Sequence, residues 1–454
     1  MSRSRVLFFL LSSVLVIPML MGTLVLAADR GRRPDPRAKD GKEVKEEDSF
    51  DTYLKYLAVF SDVVGLIHQT YVDDVSTDVL MAGALEGVTD ALDPFSIYVP
   101  TSEVSAYTKA QATGMQLSGL ELIKEHGATL VMAVEKGSPA ETAGLKIGDL
   151  VAKLDGSATR TMPLWEMQEV LTGRPGTKVS LEVIRAGTPV QVSFQLASFN
   201  PPALRLEEVA EQAAGAEESS GKAGDKPGQT KPESEKSQAD KPQTAAAAPP
   251  PSPPPGGPTV HLLRFHIFSA SAVKQARDAL AALSGAHVDK LLIDLRGASA
   301  GDADDAYQIA RLFTTGGLGA LKRRQQDVRS FTSSEPAAWQ GRLVVLIDHG
   351  TAGPAEILAT ILRQKAGAEL VGERTFGYAG RRSWADLASG GRLFFTDAFY
   401  AGPDGKPINE SLKPDLQVDR TRTYLEKDVP LGVLILRRGI HRLLEGPETA
   451  KKAA

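Results

Sequence analysis

The sequence predicts an α+β multidomain protein with an N-terminal helical region, a small β-rich module and a C-terminal α/β domain. Three observations predict it. Apolar residues recur at spacings of three and four across residues 51–98, the mark of amphipathic helices. Across residues 114–197, short apolar runs alternate with glycine-containing turns, as in a small β fold. From residue 259 onward, short apolar strands alternate with amphipathic helices, which argues a largely parallel sheet covered on both faces. A chain of 454 residues has room for two or three such domains.

Composition excludes several functions. A net charge of −4 and a pI near 6.1 give no basic field to displace counterions, so no nucleic-acid partner is expected. Cysteine is absent, which removes disulfides and thiolate metal sites and fits either redox compartment. Seven histidines are scattered without a metal-ligand pair. His261 and His266, five apart on a predicted strand, read as packing residues. No metal and no cofactor is expected.

Taken in order, residues 1–28 read as a signal peptide or membrane anchor. Arg3 and Arg5 precede an apolar run over residues 6–28, long enough to span a bilayer, and Val25-Leu26-Ala27 offers small residues at a cleavage-site spacing. The expectation is export to a bacterial cell envelope or periplasm, with residues 6–28 as the tether. Residues 29–49 are charged and Gly/Pro-containing, as in a flexible linker. In the helical region (50–112), Tyr53, Leu54, Leu57, Phe60, Val63, Val64 and Ile67 predict one buried face, and Asp78 opens a second helix. Residues 205–258 are dominated by Ala, Glu, Lys, Gly, Ser, Gln and Pro. They read as a disordered insertion with a polyproline end that loosely couples the domains before and after it.

In the α/β domain (259–445), strands are predicted at 260–268, 289–295, 343–347, 370–372 and 394–399. Helices are predicted at 272–283, 303–313, 354–365 and 424–441. The centre of the domain is the stretch 343–378. The apolar run 343–347 leads into Asp348-His349-Gly350-Thr351-Ala352-Gly353, and Pro354 then stands at the first helical position with Glu356 in the first turn. A strand, a glycine-rich turn and a helix present a group at a helix N-terminus beside free backbone N–H groups.

Two resemblances follow from the motifs. Residues 113–200 resemble a PDZ domain through Gly119-Leu120-Glu121-Leu122, Gly137-Ser138-Pro139-Ala140, Ala143-Gly144-Leu145 and Gly148-Asp149-Leu150-Val151, with a helix at 163–171. Such domains add a chain end as a strand, which implies a groove of Leu117, Ser118, Gly119, Leu120, Leu164, Met167, Val170 and Leu171. Each of these apolar residues could equally be core.

The stretch Thr351-Ala352-Gly353-Pro354-Ala355-Glu356-Ile357 and the later Thr375-Phe376-Gly377-Tyr378-Ala379 resemble the active-site region of the tail-specific, or carboxy-terminal processing, serine peptidases. The likeness extends to Leu92-Asp93-Pro94-Phe95-Ser96 and to Gly405-Lys406-Pro407-Ile408, about 330 residues in all. It implies a ClpP/crotonase-like α/β domain. In that family a serine attacks the peptide and a lysine is its base. Here those positions are Gly353 and Tyr378, 25 residues apart, so neither catalytic side chain is present. The family's oxyanion-hole loop after Leu295-Arg296 is reworded as Gly297-Ala298-Ser299-Ala300-Gly301, and Arg382 stands where a glutamine is common.

Three functions are compatible with this pattern. The first is a non-catalytic homologue that binds unstructured C-terminal tails of envelope proteins, with an active peptidase relative and self-association as further partners. The second is a serine-type endopeptidase whose nucleophile has moved, with Thr351 and His349 as the substitute pair and Ser299 and Ser383 as weaker ones. The third is an envelope scaffold that uses neither site.

Overall fold

The computed structural model of the chain describes residues 46–113, 117–125, 127–135, 137–199, 203–210, 259–324, 326–418 and 431–445. Residues 1–28, expected to be a signal peptide or anchor, and most of the expected insertion lie outside them. The chain divides into two units, residues 1–80 and 81–454.

In the first unit, α1 (Glu46–Thr70) begins inside the stretch expected to be a tether. Glu46, Glu47 and Asp48 read as linker charge in the sequence, yet the helix starts at Glu46. The predicted apolar face is present yet not buried: Tyr53 and Leu57 are 69% and 63% exposed. Periodicity fixes which face is apolar; burial needs an opposing surface that the pattern cannot supply. α2 (Thr77–Asp90) follows, with the Ser76 hydroxyl accepting from Val79 N at 3.3 Å.

The expected helical run to residue 98 ends early. Residues Ile97–Val99 form β1, paired antiparallel to β18 of the α/β domain. Apolar, β-branched Ile97 and Val99 flank Tyr98, a strand composition that the helical reading overrode. α3 (Val104–Thr113) leads into the β-rich module: β2 (Leu120–Glu125), β3 (Ala128–Val134), α4 (Pro139–Thr142), β4 (Leu150–Leu154), β5 (Ser157–Ala158), α5 (Leu164–Leu171), β6 (Lys178–Arg185) and β7 (Thr188–Gln195). Its sheet runs β2-β3-β4-β6-β7 with β5 on β4. Val179, Leu181 and Val183 alternate inward, fully buried, and each such side chain contributes roughly 1.5–3 kcal/mol.

The α/β domain opens with β8 (Leu204–Ala210), β9 (Thr259–Phe265), β10 (Ile267–Phe268), α6 (Ala270–Gly285), β11 (Lys290–Asp294), β12 (Ala300–Gly301) and α7 (Ala303–Ala310). It continues through β13 (Gly316–Arg323), β14 (Gln326–Ser333), β15 (Arg342–Ile347), α8 (Pro354–Lys365), β16 (Glu369–Gly372), β17 (Gly380–Asp386), β18 (Arg392–Ala401), β19 (Leu416–Gln417) and α9 (Leu431–Glu445). The main sheet is ordered β19-β16-β15-β11-β9-β8, parallel except for β8. Strand alternation sorts its residues: Leu291, Ile293, Val345 and Ile347 pack with α6, α7 and α8, while Leu292, Val344 and Leu346 pack with α9. A second sheet, β1-β18-β13-β14 with β17 on β18, flanks the first.

Two expectations about the insertion are corrected. It does not begin at residue 205, because β8 continues to Ala210. It also does not separate two domains, because Ala210 pairs directly with Thr259 across the β8–β9 hairpin. Nor are module and α/β domain loosely coupled: Ile97, Val99, Tyr107 and Phe394 pack into the module's core, with the Tyr107 and Phe394 rings edge to face at 5.0 Å.

Candidate functional site

The turn between β15 and α8 is tied together by buried polar groups. The Asp348 Oδ1 accepts from Gly297 N at 2.9 Å and Gly350 N at 3.0 Å. The Thr351 hydroxyl donates to Leu295 O at 2.9 Å and accepts from Asp348 N at 3.0 Å. Thr351 is fully buried, whereas His349 is exposed, its ring 5.9 Å from that of Phe376. The structure therefore corrects the Thr351–His349 pair: the hydroxyl faces the inside of the turn, where backbone groups occupy it, and the imidazole faces out.

Gly353 adopts φ 53°, ψ −114° at the N-cap of α8, a backbone conformation that L side chains rarely adopt. A Cβ placed there would find Ser299 O at 3.8 Å and Tyr378 O at 4.0 Å, so space for a side chain remains. Glycine thus keeps the sharp strand-to-helix elbow and removes both its strain and its functional group.

Glu356 holds the frame. Its buried carboxyl reaches back to Gly353 N at 3.1 Å, one half of a capping box, and across to Gly377 N at 2.6 Å, Tyr378 N at 2.8 Å and the Thr375 hydroxyl. Burial pushes this carboxyl up to about 7, and the four donors only partly oppose it. A single side chain therefore fixes the helix N-terminus against the second motif. Sequence reading assigned Glu356 only a dipole role; Glu at the third helical position, with the Thr375 loop downstream, was the available signal.

Tyr378 is a packing residue. Its ring lies 4.8 Å from Phe95 and 5.2 Å from Phe399, and its hydroxyl donates to Thr396 Oγ1 at 2.6 Å. Burial first of all drives its pKa above that of an ordinary phenol. The Asp93–Phe95 segment thus supports the loop that carries Tyr378. Arg381 is engaged by Asp397 through Nε at 2.8 Å, and Arg382 lies 5.8 Å from the Phe95 ring.

These groups line a cavity of about 1040 Å³ between the module and the α/β domain. On the module side it is lined by Ser118, Leu120, Glu121, Leu122, Gln168, Leu171 and Thr172; on the other by residues 299–303, 352–354 and 378–382. Of the eight predicted groove residues, Ser118, Leu120 and Leu171 reach the cavity. Gly119 shapes the loop, with φ 69° and Ser138 Cβ 2.1 Å from where its own Cβ would be. Leu117, Leu164 and Met167 are buried in the module core, and Val170 packs against it. A helix pattern cannot separate core from groove when the two faces adjoin, and Gln168 and Thr172 escaped notice because they are polar.

One contact crosses the cavity: the Ser299 hydroxyl donates to Glu121 Oε2 at 2.8 Å. Burial raises the Glu121 carboxyl above the ordinary range, against the opposing charge of Arg382 and the Ser299 bond. Glu135, also on the lining, is raised to about 7 by burial and by the charges of Glu121 and Glu141. His261 pairs across the ladder with Glu208 at 3.9 Å, and His266 is buried. Among the described residues no group of three or more His, Cys, Asp or Glu is arranged to hold a metal ion.

Comparison with known proteins places this geometry. Residues 259–418 match Peptidase family S41, and residues 117–196 match the PDZ domain family. A carboxyl-terminal-processing protease of Synechocystis is 32% identical over 296 residues, covering 64% of this chain and 59% of that protein. A chloroplastic C-terminal processing peptidase of Tetradesmus obliquus is 26% identical, covering 72% and 65%. The Bacillus subtilis carboxy-terminal processing protease CtpA is 24% identical, covering 83% and 74%. The first two matches thus span less than two thirds of those relatives. The photosystem II D1 C-terminal processing protease superposes with a TM-score of 0.60 at 21% identity, over 84% of this chain and 96% of that one, which establishes the common fold. The chain carries a PDZ domain and a Peptidase family S41 domain and is a homologue of the carboxyl-terminal processing peptidases.

Proposed function

We propose that this protein is an exported, non-catalytic homologue of the carboxyl-terminal processing peptidases that binds unstructured C-terminal tails of envelope proteins. One observation carries the reading: a PDZ-lined cavity opens onto a centre with the right backbone and no reacting groups. Serine-type attack needs a hydroxyl and a base within about 2.6–3.2 Å of each other. Gly353 supplies no oxygen. Tyr378 retains its proton at neutral pH, and a guanidinium such as that of Arg382 cannot act as a base.

A tail would add as a strand to β2, its carboxylate held by N–H groups of the loop before it. The names of the relatives motivate the choice of ligand. The tether at residues 6–28, an active peptidase partner and self-association complete the proposal. The test is to incubate the full chain with a disordered tail peptide and follow both binding and fragments. Binding without fragments is expected; fragments at a rate proportional to protein concentration would refute it.

A second reading has one observation in its favour. Ser299 lies on the cavity wall with its hydroxyl already hydrogen-bonded to Glu121, a half-buried carboxyl that could accept its proton. Against it, the backbone donors at the elbow are taken: Ala352 N bonds Ala298 O, and Gly353 N bonds Glu356. An oxyanion would lack its usual donors. Cleavage abolished by Ser299→Ala would favour this reading over the first.

A further inference from the structure

Glu121 and Glu135 sit on one face of the β2–β3 ladder. Glu121 is directly opposite Ala133, and Glu135 lies two residues further along β3's line, so the two side chains are diagonal neighbours on the face turned to the cavity. Glu135 is only 5% exposed, and its Oε1 has no hydrogen-bond partner. A buried carboxyl without a partner is costly, and a second carboxyl beside it adds to the cost.

The other charged groups around the cavity do not resolve it. Arg381 is held by Asp397, and Glu141 accepts from Gly137 N at 2.6 Å. Asp302 caps α7 by accepting from Asp304 N at 2.8 Å. Arg382 is exposed at the rim and offsets part of the charge on Glu121. One buried, unpartnered oxygen and an acidic pair therefore face the space through which a tail would run from the PDZ strand toward Gly353.

We propose that Glu121 and Glu135 form an acidic subsite that takes the ammonium or guanidinium of a lysine or arginine side chain in the bound tail. This rests on the tail-binding reading and specifies its ligand: a tail that ends in a free carboxylate and carries one basic residue upstream. The cation would supply the missing partner of Glu135 and replace Arg382 as the counter-charge of Glu121. Ordinary PDZ recognition, through backbone N–H groups and apolar pockets, gives no such preference.

The test uses the full chain and fluorescent octapeptide tails with free carboxylates, carrying lysine or norleucine at each of the last six positions in turn. Norleucine keeps the aliphatic stem and removes the charge. At one position, lysine should bind about tenfold tighter than norleucine at pH 8. The ratio should fall between pH 8 and pH 5.5, because the Glu135 carboxyl, raised to about 7, takes up a proton across that range. Glu135→Gln should remove most of the ratio between the lysine and norleucine peptides. Arg382→Ala should increase the ratio by removing the competing cation, an effect a merely structural role would not give. Carboxylate-dependent binding with equal affinity for lysine and norleucine at every position would overturn the subsite and leave the tail-binding reading standing. No binding of any peptide, or equal binding of acid and amide forms, would overturn both.

Discussion

Replacing Glu356 with glutamine should flatten the pH dependence of stability by an amount the structure fixes. The carboxyl is buried and raised from 4.5 to about 7 in the folded protein, mainly by desolvation. Between these two values the folded state holds a proton that the unfolded state has released. Stability therefore falls as pH rises through this window and is level above it. A shift of this size corresponds to about 3 kcal/mol between pH 5 and pH 8. Glutamine keeps one acceptor oxygen for Gly353, Gly377, Tyr378 or Thr375 but carries no titrating group. The gap between the parent and Glu356→Gln should thus be largest at pH 5 and narrow by about 3 kcal/mol at pH 8. Urea titrations of both proteins at the two pH values measure this directly, and the other titrating groups cancel in the difference. Parallel stability curves for parent and variant would refute the claim that one buried carboxyl clamps the elbow to the second motif.

Other perturbations test neighbouring parts of the frame. Gly301→Ala should destabilise severely, beyond about 3 kcal/mol in denaturant titration, because φ is 115° and the new Cβ would lie 2.1 Å from Phe268 O. Thr351→Val should cost about 1–3 kcal/mol by unpairing Asp348 N and removing one of the two donors to Leu295 O, and should leave tail binding unchanged. Asp294 is fully buried between Arg264 and Arg296, which hold its carboxyl well below the usual range despite the opposing effect of burial. Its stabilisation is present at neutral pH and lost as pH falls below its unfolded value, and Asp294→Ala should cost about 3–5 kcal/mol in a thermal or urea melt at pH 7.

The α/β domain was legible in the sequence because its signals were local. The apolar runs at 291–293 and 343–347 are bounded by polar residues, and Pro354 marks the start of α8 at the residue where the structure begins it. That Gly353 and Tyr378 stand at the positions matched to the family's serine and lysine was likewise visible, since it needs only residue identity. What the sequence hid depends on long-range pairing. Residues 97–99 carry a strand composition but become a strand only by pairing with β18, nearly three hundred residues later. Residues 205–210 read as the start of a polar insertion, yet their hydrogen bonds to β9 make them part of the main sheet. The apolar stripe on α1 was correctly placed and wrongly expected to be covered.

The candidate site divides along the same line. Ser118, Leu120 and Leu171 were within reach of motif reading, whereas Leu164 and Met167 share their helix spacing and belong to the core. The Ser299–Glu121 contact joins two domains and has no sequence signature. Glu356 shows a middle case, in which the capping position was recognisable but its three other donors came from a loop about twenty residues away.

The central claim is that the cavity keeps recognition of a chain end while the chemistry beside it is gone. Calorimetric titration of the full chain with one tail peptide, prepared as the free acid and as the amide, tests it most directly, with each mixture checked for fragments by mass spectrometry. The account predicts saturable binding of the acid, at least about tenfold weaker binding of the amide because charge-assisted hydrogen bonds contribute about 1.5–3 kcal/mol, and intact peptide in both. Equal affinity for acid and amide, or fragments that accumulate with the acid, would contradict it.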